Sequence, residues 1–416
     1  MPIYDERDVL LLAEGQVITP VFQARLFARG VNSVKVHESE MPRICAGKPL
    51  GTAKQVPPER DGYYCNLENQ ISTLLDQACD DEAQLEVGPQ GDPLAEELVD
   101  HGAQAFDQEM LNEFVDNRES SITQVEHIFD SLCNSKHLDM DSLSHLADEA
   151  MNDMTKDADL FACLGLNPYS DKYPARHSMH LTMLAMSIAT ELKLDRPTVK
   201  ELAIGCLIHD SGMLKINRDL YLKPEIITDI EFLEITKHPV IIFDQMKDMR
   251  LIPQRSAFIA YQMHERCNGK GYPRQREGNQ IHFLSKVAAV SDTFIAMVSP
   301  RPHRPGLMPY KAMARIIMKT NEGYFDPAAT RALLNRVSLF PIGSFIELND
   351  GRQGRVLRSN GELYNQPIVE AWHPDQEGAA PEIVNLAENA ELTIARALPY
   401  VERPRFQTEA VAADWD

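Results

Sequence analysis

The chain has 416 residues, 44% hydrophobic and 25% charged, with a net charge of −21 at pH 7. That length supports two or three domains around a sizeable core. The acidic balance excludes general binding of nucleic-acid polymers, which needs a basic face, and no run approaches the roughly 18 uncharged apolar residues of a membrane span.

The charge is concentrated. Residues 61–160 hold 25 Asp and Glu against Arg118, Lys136 and Lys156, a net −22, so the rest of the chain is near neutral and need not repel an anionic substrate. The acidic N-terminus lacks the basic start and apolar core of a signal peptide. The seven cysteines (Cys45, Cys65, Cys79, Cys133, Cys163, Cys206, Cys267) form no CxxC pair and are odd in number. Free thiols in a reducing cytoplasm are the expectation.

In chain order, residues 1–60 read as a small α/β module and linker. Val9–Leu12 reads as a strand, Thr19-Pro20 opens a helix, Gly30 closes it, and Val31–Val36 alternates like a second strand. Pro and Gly from Met41 to Gly62 mark the linker. Residues 61–160 read as an acidic helical segment. Its apolar spacing of i, i+3, i+4 shows at Leu111, Phe114, Val115 and at Val125, Ile128, Phe129, with a break expected at Gly88–Pro93. A solvated acidic face is the plainer meaning of its charge, a protein-docking surface the other. Residues 161–336 form a helical block. Residues 337–403 change period and read as a small β domain of barrel-like character. Its expected strands are Ser344–Leu348, a hairpin partner at Gly354–Leu357 after Asp350-Gly351, Pro367–Trp372 and Glu391–Ile394. Residues 404–416 read as a tail. The expected fold class is mainly α, with a small N-terminal α/β module and a C-terminal β appendage.

The helical block carries histidines and carboxylates on faces that should be buried. His177 shares a face with Leu181, Leu184 and Ile188. His209-Asp210 ends the stripe Val199, Leu202, Ala203, Cys206, Leu207, where Gly212 can break the helix. Asp292 shares a face with Ala288 and Ile295, and His238 and His264 lie between. A carboxylate on a buried face is costly unless paired, hydrogen-bonded or metal-bound. Histidine and carboxylate without cysteine suit divalent iron, manganese or zinc. His180, three residues after His177, reads more simply as a core or surface histidine than as a ligand.

In this block, His177 in Arg-His-Ser is followed 32 residues later by His209-Asp210 and then by His238-Pro239. His264-Glu265 running to Gly271-Tyr272-Pro273 comes next, and then Val290-Ser291-Asp292. This ordered series resembles the HD-GYP family of metal-dependent phosphohydrolases that cleave cyclic di-GMP in bacterial second-messenger signalling. The resemblance covers about Leu160 to Leu339. It implies a helical HD-type core and one or two divalent ions. His177, His209, Asp210 and Asp292 would hold the first metal, and Asp210 would bridge to a second held by His238 and His264. It places His209 and Asp210 at the catalytic centre. It assigns substrate contacts to Gly269, Gly271, Tyr272, Arg301 and Arg304, the arginines lying in Arg301-Pro302-His303-Arg304. Gly323–Pro327 matches a late element of structural character.

Four positions depart from the family pattern. Met263 stands where a second histidine precedes His264, and thioether is a poor ligand in an oxygen and nitrogen site. Met213 replaces a lysine near the scissile phosphate, and Lys215 lies about 200° further round a helix. Tyr173 replaces a glutamate that supports a third metal in some members. Asn268 replaces an aspartate in the glycine turn. The reading is therefore a cyclic di-GMP phosphodiesterase of low activity, yielding pGpG or GMP. A degenerate member acting as nucleotide receptor or interaction module is the alternative, and its partner would dock on the acidic segment or the β domain.

Overall fold

The structure is a computed structural model that describes residues 3–4, 10–12 and 91–399. Short breaks fall at 136–137, 168–172, 218–219, 221–222, 224, 247–251, 302–303 and 376–379. Two short antiparallel strands, β1 (Ile3–Tyr4) and β2 (Leu10–Leu12), coincide in part with the expected N-terminal strand. The expected helix after Thr19, the strand Val31–Val36, the linker and the tail lie outside the described residues.

The rest is mainly helical. Helix α1 (Gln108–Ser135) buries Leu111, Phe114, Val125, Ile128 and Phe129, the periodic positions of its sequence. Helix α2 (Met140–Lys156) starts at Asp139, whose carboxylate accepts from Ser142 N at 3.0 Å. Helix α3 (Ala158–Gly165) starts at Asp157 in the same manner and runs across residues 160 and 161, where the sequence suggests a boundary.

Helix α4 (Ala175–Glu191) is buried along nearly its whole length, because it is the central post of the block. It packs against α1, α3, α5 (Arg196–Ile208), α9 (Phe283–Val298) and α11 (Pro327–Val337). Between these come α6 (Asp229–Ile235), α7 (His238–Met246), α8 (Gln254–Gln262) and α10 (Pro309–Asn321).

The C-terminal region is a five-stranded antiparallel sheet in the order β6-β5-β4-β3-β7. Strands β3 (Phe345–Leu348), β4 (Gln353–Arg358) and β5 (Ile368–Trp372) fall on the expected segments. The β3–β4 turn uses Gly351 at φ 88°, which a glycine adopts without strain. Two differences appear. Strand β6 (Glu382–Asn385) was not expected, and β7 is Ile394–Leu398 rather than Glu391–Ile394. Pairing leaves β6 and β7 as edges, so the sheet is open rather than barrel-like among the described residues.

One continuous apolar core runs from Leu94 through the helices into Ile346, Val356, Val369 and Leu386 of the sheet region. A buried ion pair joins the two parts. Arg358 on β4 donates from both terminal nitrogens to Asp157, at 2.9 and 2.8 Å. Cys163, Cys206 and Cys267 are free thiols. Among the described residues no helix is long and apolar enough to cross a membrane.

Candidate metal centre

Five chain segments, α4 among them, bring the six residues together. His177 sits in the first turn of α4, after Pro174. Helix α5 starts at Asp195, which accepts from Thr198 N at 2.8 Å, and ends at His209, with Asp210 one residue on. A 3-10 turn, Ser211–Lys215, follows and packs against the start of α7, where His238 lies. Gly212 makes this approach feasible, since a Cβ there would collide with the His238 carbonyl. Its role is close approach rather than the left-handed backbone of a helix cap. His264 follows the end of α8, and Asp292 comes from the inner face of α9.

All six are buried. His177 Nε2 lies 3.0 Å from Asp292 Oδ1, and His264 Nδ1 lies 3.5 Å from Asp292 Oδ2. Asp210 Oδ1 lies 3.3 Å from His209 Nε2 and 3.4 Å from His238 Nε2. Two overlapping donor sets have all their ligand atoms within 4.8 Å of one another: His177, His209, Asp292 and His209, Asp210, His264.

The donor chemistry fits a cation. His209 donates through Nδ1 to the Cys206 carbonyl at 2.7 Å, and His238 through Nδ1 to the Ile235 carbonyl at 2.8 Å. Each bond fixes the tautomer, so in the neutral ring Nε2 carries a lone pair. Those two nitrogens, with Nε2 of His264, are buried without a hydrogen-bond partner. Buried lone pairs facing a carboxylate are unfavourable unless a proton or metal lies among them.

Most of the charges point the same way; His209 is the exception, since against the effect of burial Asp210 beside it raises its pKa. In Asp292 burial opposes ionisation, yet the His177 and His264 bonds bring the carboxyl well below its ordinary range. In Asp210 burial is likewise overridden, here by His209 and His238. Burial and the adjacent His264 push His238 down to about 3, so that ring is neutral at pH 7 and available as a ligand. Burial also lowers His177.

The glycine turn, to which the resemblance assigns substrate contacts, is arranged differently. Tyr272 stacks on His264, with ring centroids 4.9 Å apart and planes at 13°, and meets Phe232 edge-on at 5.8 Å. Phe232 is 48% exposed and forms the outer member of this aromatic row. Gly269 has φ 71°, and a Cβ on Gly271 would collide with the backbone of Glu265 and Arg266, so both glycines shape the turn. Asn268 Oδ1 accepts from Lys270 N at 3.3 Å within it. Tyr324 contributes by accepting from Cys267 N at 3.0 Å.

Arg301 lies over the Tyr173 ring, 4.2 Å from its centroid. Arg304 turns away. Its guanidinium donates to the carbonyls of Ala296, Met297, Ser299 and Pro305, closing the C-terminal end of α9. The Arg304 head group is thus occupied by helix-end carbonyls rather than turned to a phosphate, as the resemblance had implied for it. Met213 is 2% exposed, and Met263 is fully buried within the main apolar core. His180 and His238 belong to neither donor set, but they differ in setting: His238 Nε2 lies 3.4 Å from Asp210 Oδ1, whereas His180 donates through Nδ1 to the Gly165 carbonyl at 3.1 Å, as a core histidine does.

Two residues gain roles that the sequence did not announce. Tyr173 donates its hydroxyl to Asp210 Oδ2 at 3.0 Å. Glu265 is buried and accepts the backbone N–H groups of Arg274 at 2.6 Å and Arg276 at 2.9 Å, tying the glycine turn to His264. Its place beside His264 was the available signal. For Tyr173 only its place four residues before His177 stood out.

Residues 163–329 match the family model described as HD domain. The chain is 30% identical over 235 residues to cyclic di-GMP phosphodiesterase PA4108 of Pseudomonas aeruginosa, covering 56% of this chain and 56% of that protein. It is 32% identical over 170 residues to a cyclic di-GMP phosphodiesterase of Thermotoga maritima, covering 41% of this chain and 46% of that one. The chain thus spans about half the length of these curated relatives. Among solved structures it is similar to Bd1817, a HDG"Y"P protein from Bdellovibrio bacteriovorus, with TM-score 0.47 and 16% identity over 80% of this chain and 92% of that one.

Proposed function

We propose that this chain, whose residues 163–329 match the family model described as HD domain, is an HD-GYP protein, a metal-dependent phosphodiesterase acting on cyclic di-GMP with pGpG or GMP as product. The observation that carries the proposal is the buried cluster itself: Nε2 of His209 and of His238, neither with a hydrogen-bond partner, face Asp210, while His177 and His264 face Asp292, and both carboxyls are held ionised. His177, His209, Asp210 and Asp292 would hold one ion, with His238 and His264 extending the site to a second. A divalent iron, manganese or zinc ion bound there would supply Lewis-acid chemistry, activating water and offsetting phosphodiester charge. The chain's own residues do the rest. Arg301 binds a phosphate oxygen, Tyr272 and Phe232 offer ring faces to a base, and Gly269 and Gly271 allow the turn to approach the ligand.

Turnover is slow on this reading, because Met213 supplies no charge near the phosphate. The same methionine, with Met263, favours a second reading in which the domain binds a cyclic dinucleotide without cleaving it. A protein partner would then dock on the acidic helices or the C-terminal sheet. Metal analysis of anaerobically purified protein, with a turnover assay on cyclic di-GMP, tests both. Metal with measurable cleavage supports the enzyme, and metal with binding alone supports the receptor. Protein that takes up neither metal nor nucleotide overturns both.

A further inference from the structure

Tyr173 touches both halves of the site. Its hydroxyl donates to Asp210 Oδ2 at 3.0 Å, while its ring lies under the Arg301 guanidinium at 4.2 Å. Its centroid is also 5.8 Å from that of His177, four residues later in the chain. The outer oxygen of Asp210 is thereby committed to the phenol, which leaves Oδ1 turned to His209 and His238. A buried carboxylate with one oxygen held in this way has less freedom to rotate away from its ligand position. A guanidinium held over an aromatic face by cation–π attraction is restricted in the positions its N–H groups can take.

We infer that Tyr173 is a positioning residue with two separable functions: its hydroxyl aligns Asp210 for metal, and its ring aligns Arg301 for the substrate phosphate. The inference rests on the metal-centre reading above but assigns a role that the ligand set does not include. It also makes a distinction that a merely structural tyrosine would not. Loss of the hydroxyl alone affects metal, whereas loss of the ring also affects nucleotide.

The test compares wild type, Tyr173→Phe, Tyr173→Leu and Arg301→Ala. Mn²⁺ titration of the metal-stripped proteins reads the first function. Equilibrium binding of a phosphorothioate-linked cyclic di-GMP, which resists cleavage, reads the second at saturating Mn²⁺. Tyr173→Phe should weaken Mn²⁺ binding about tenfold, the usual scale for a partner of a metal ligand, and leave nucleotide binding unchanged. Tyr173→Leu should match it for Mn²⁺ and in addition weaken the nucleotide about two- to fivefold. That second loss should vanish when Arg301→Ala is already present. Equal Mn²⁺ affinity in wild type and Tyr173→Phe overturns the hydroxyl role. Equal nucleotide affinity in Tyr173→Phe and Tyr173→Leu overturns the ring role. Wild-type protein that binds no Mn²⁺ overturns the metal-centre reading itself, a different outcome from either.

Discussion

The proposed metal side and the proposed phosphate side of this site follow different rules. On the metal side, all six histidines and aspartates of the ordered series are present, buried and brought together. On the phosphate side, a methionine stands where the family pattern has a lysine, an asparagine replaces an aspartate, and Arg304 is engaged by helix-end carbonyls. Keeping a buried His/Asp cluster and keeping a charged surface beside it are therefore separable properties of one fold. The cage is built into helix packing, and the surface hangs on individual side chains.

The largest effect expected from testing that contrast is on the cage. Asp292→Ala removes the carboxylate shared by His177 and His264, and metal affinity should fall by more than about 100-fold, since partners one shell out already account for about 10–100-fold. Metal content after dialysis against limiting Mn²⁺ checks it. Content equal to wild type would break the comparison at its stronger end.

Next comes the missing cation. Met213→Lys should raise the single-turnover rate on cyclic di-GMP about tenfold or more, the reverse of the roughly 10²–10³ cost of removing one stabilising donor in an oxyanion hole. Met213 is 2% exposed, so the variant should also unfold at a lower temperature than wild type. An unchanged rate in folded protein would mean that phosphate charge is met elsewhere.

The two arginines sharpen the contrast within the phosphate side. Arg301→Ala should weaken the nucleotide about tenfold, as expected for a charge-assisted hydrogen bond. Arg304→Ala should instead lower stability by roughly 0.3–1 kcal/mol, through loss of a cation at a helix C-terminus, with nucleotide affinity intact. Binding isotherms and thermal melts of both variants separate the roles, and an inverted result would return Arg304 to the substrate.

A further effect lies outside both regions. His282 caps α9 by accepting Leu284 N at Nδ1, and burial with nearby Arg255 and Lys286 lowers it to about 4. Below about pH 6.5 the unfolded chain gains a proton there that the folded chain refuses, so stability is full above that pH and falls as pH drops towards 4. Urea unfolding of metal-stripped protein at pH 7 and 5 should show a smaller drop for His282→Asn, which keeps a capping side chain.

Much of the cage was legible because its residues recur in order on faces with a helical period, so one rule placed both the fold and the ligands. His177 beside Leu181 and Leu184, or Asp292 beside Ala288 and Ile295, need only the 3.6-residue repeat. Side-chain direction beyond a helix end is not periodic. That is why Arg304 could not be told from Arg301, or Tyr173 from a ligand substitution. Strand β6 was missed for a related reason. Its four residues, Glu382–Asn385, are too short to show alternation, and only Val384 is buried. Strand β7 carries Ala-Arg-Ala in place of a β-branched run, which drew the expectation towards Leu392-Thr393-Ile394 instead.

Arg358 has a consequence for how the molecule comes apart. It meets Asp157, the residue that also caps α3, and the two side chains are only 3% and 2% exposed. Leaving one partner of such a pair behind costs about 3–5 kcal/mol. Helix α3 in turn packs on α4, which carries His177. Cutting the chain after Val337 would strip the apolar cover from α3 together with its buried counter-ion. The sheet and the helices should accordingly melt in one cooperative step, and a protease that opens the sheet should release the helical part as an aggregating fragment rather than a working one.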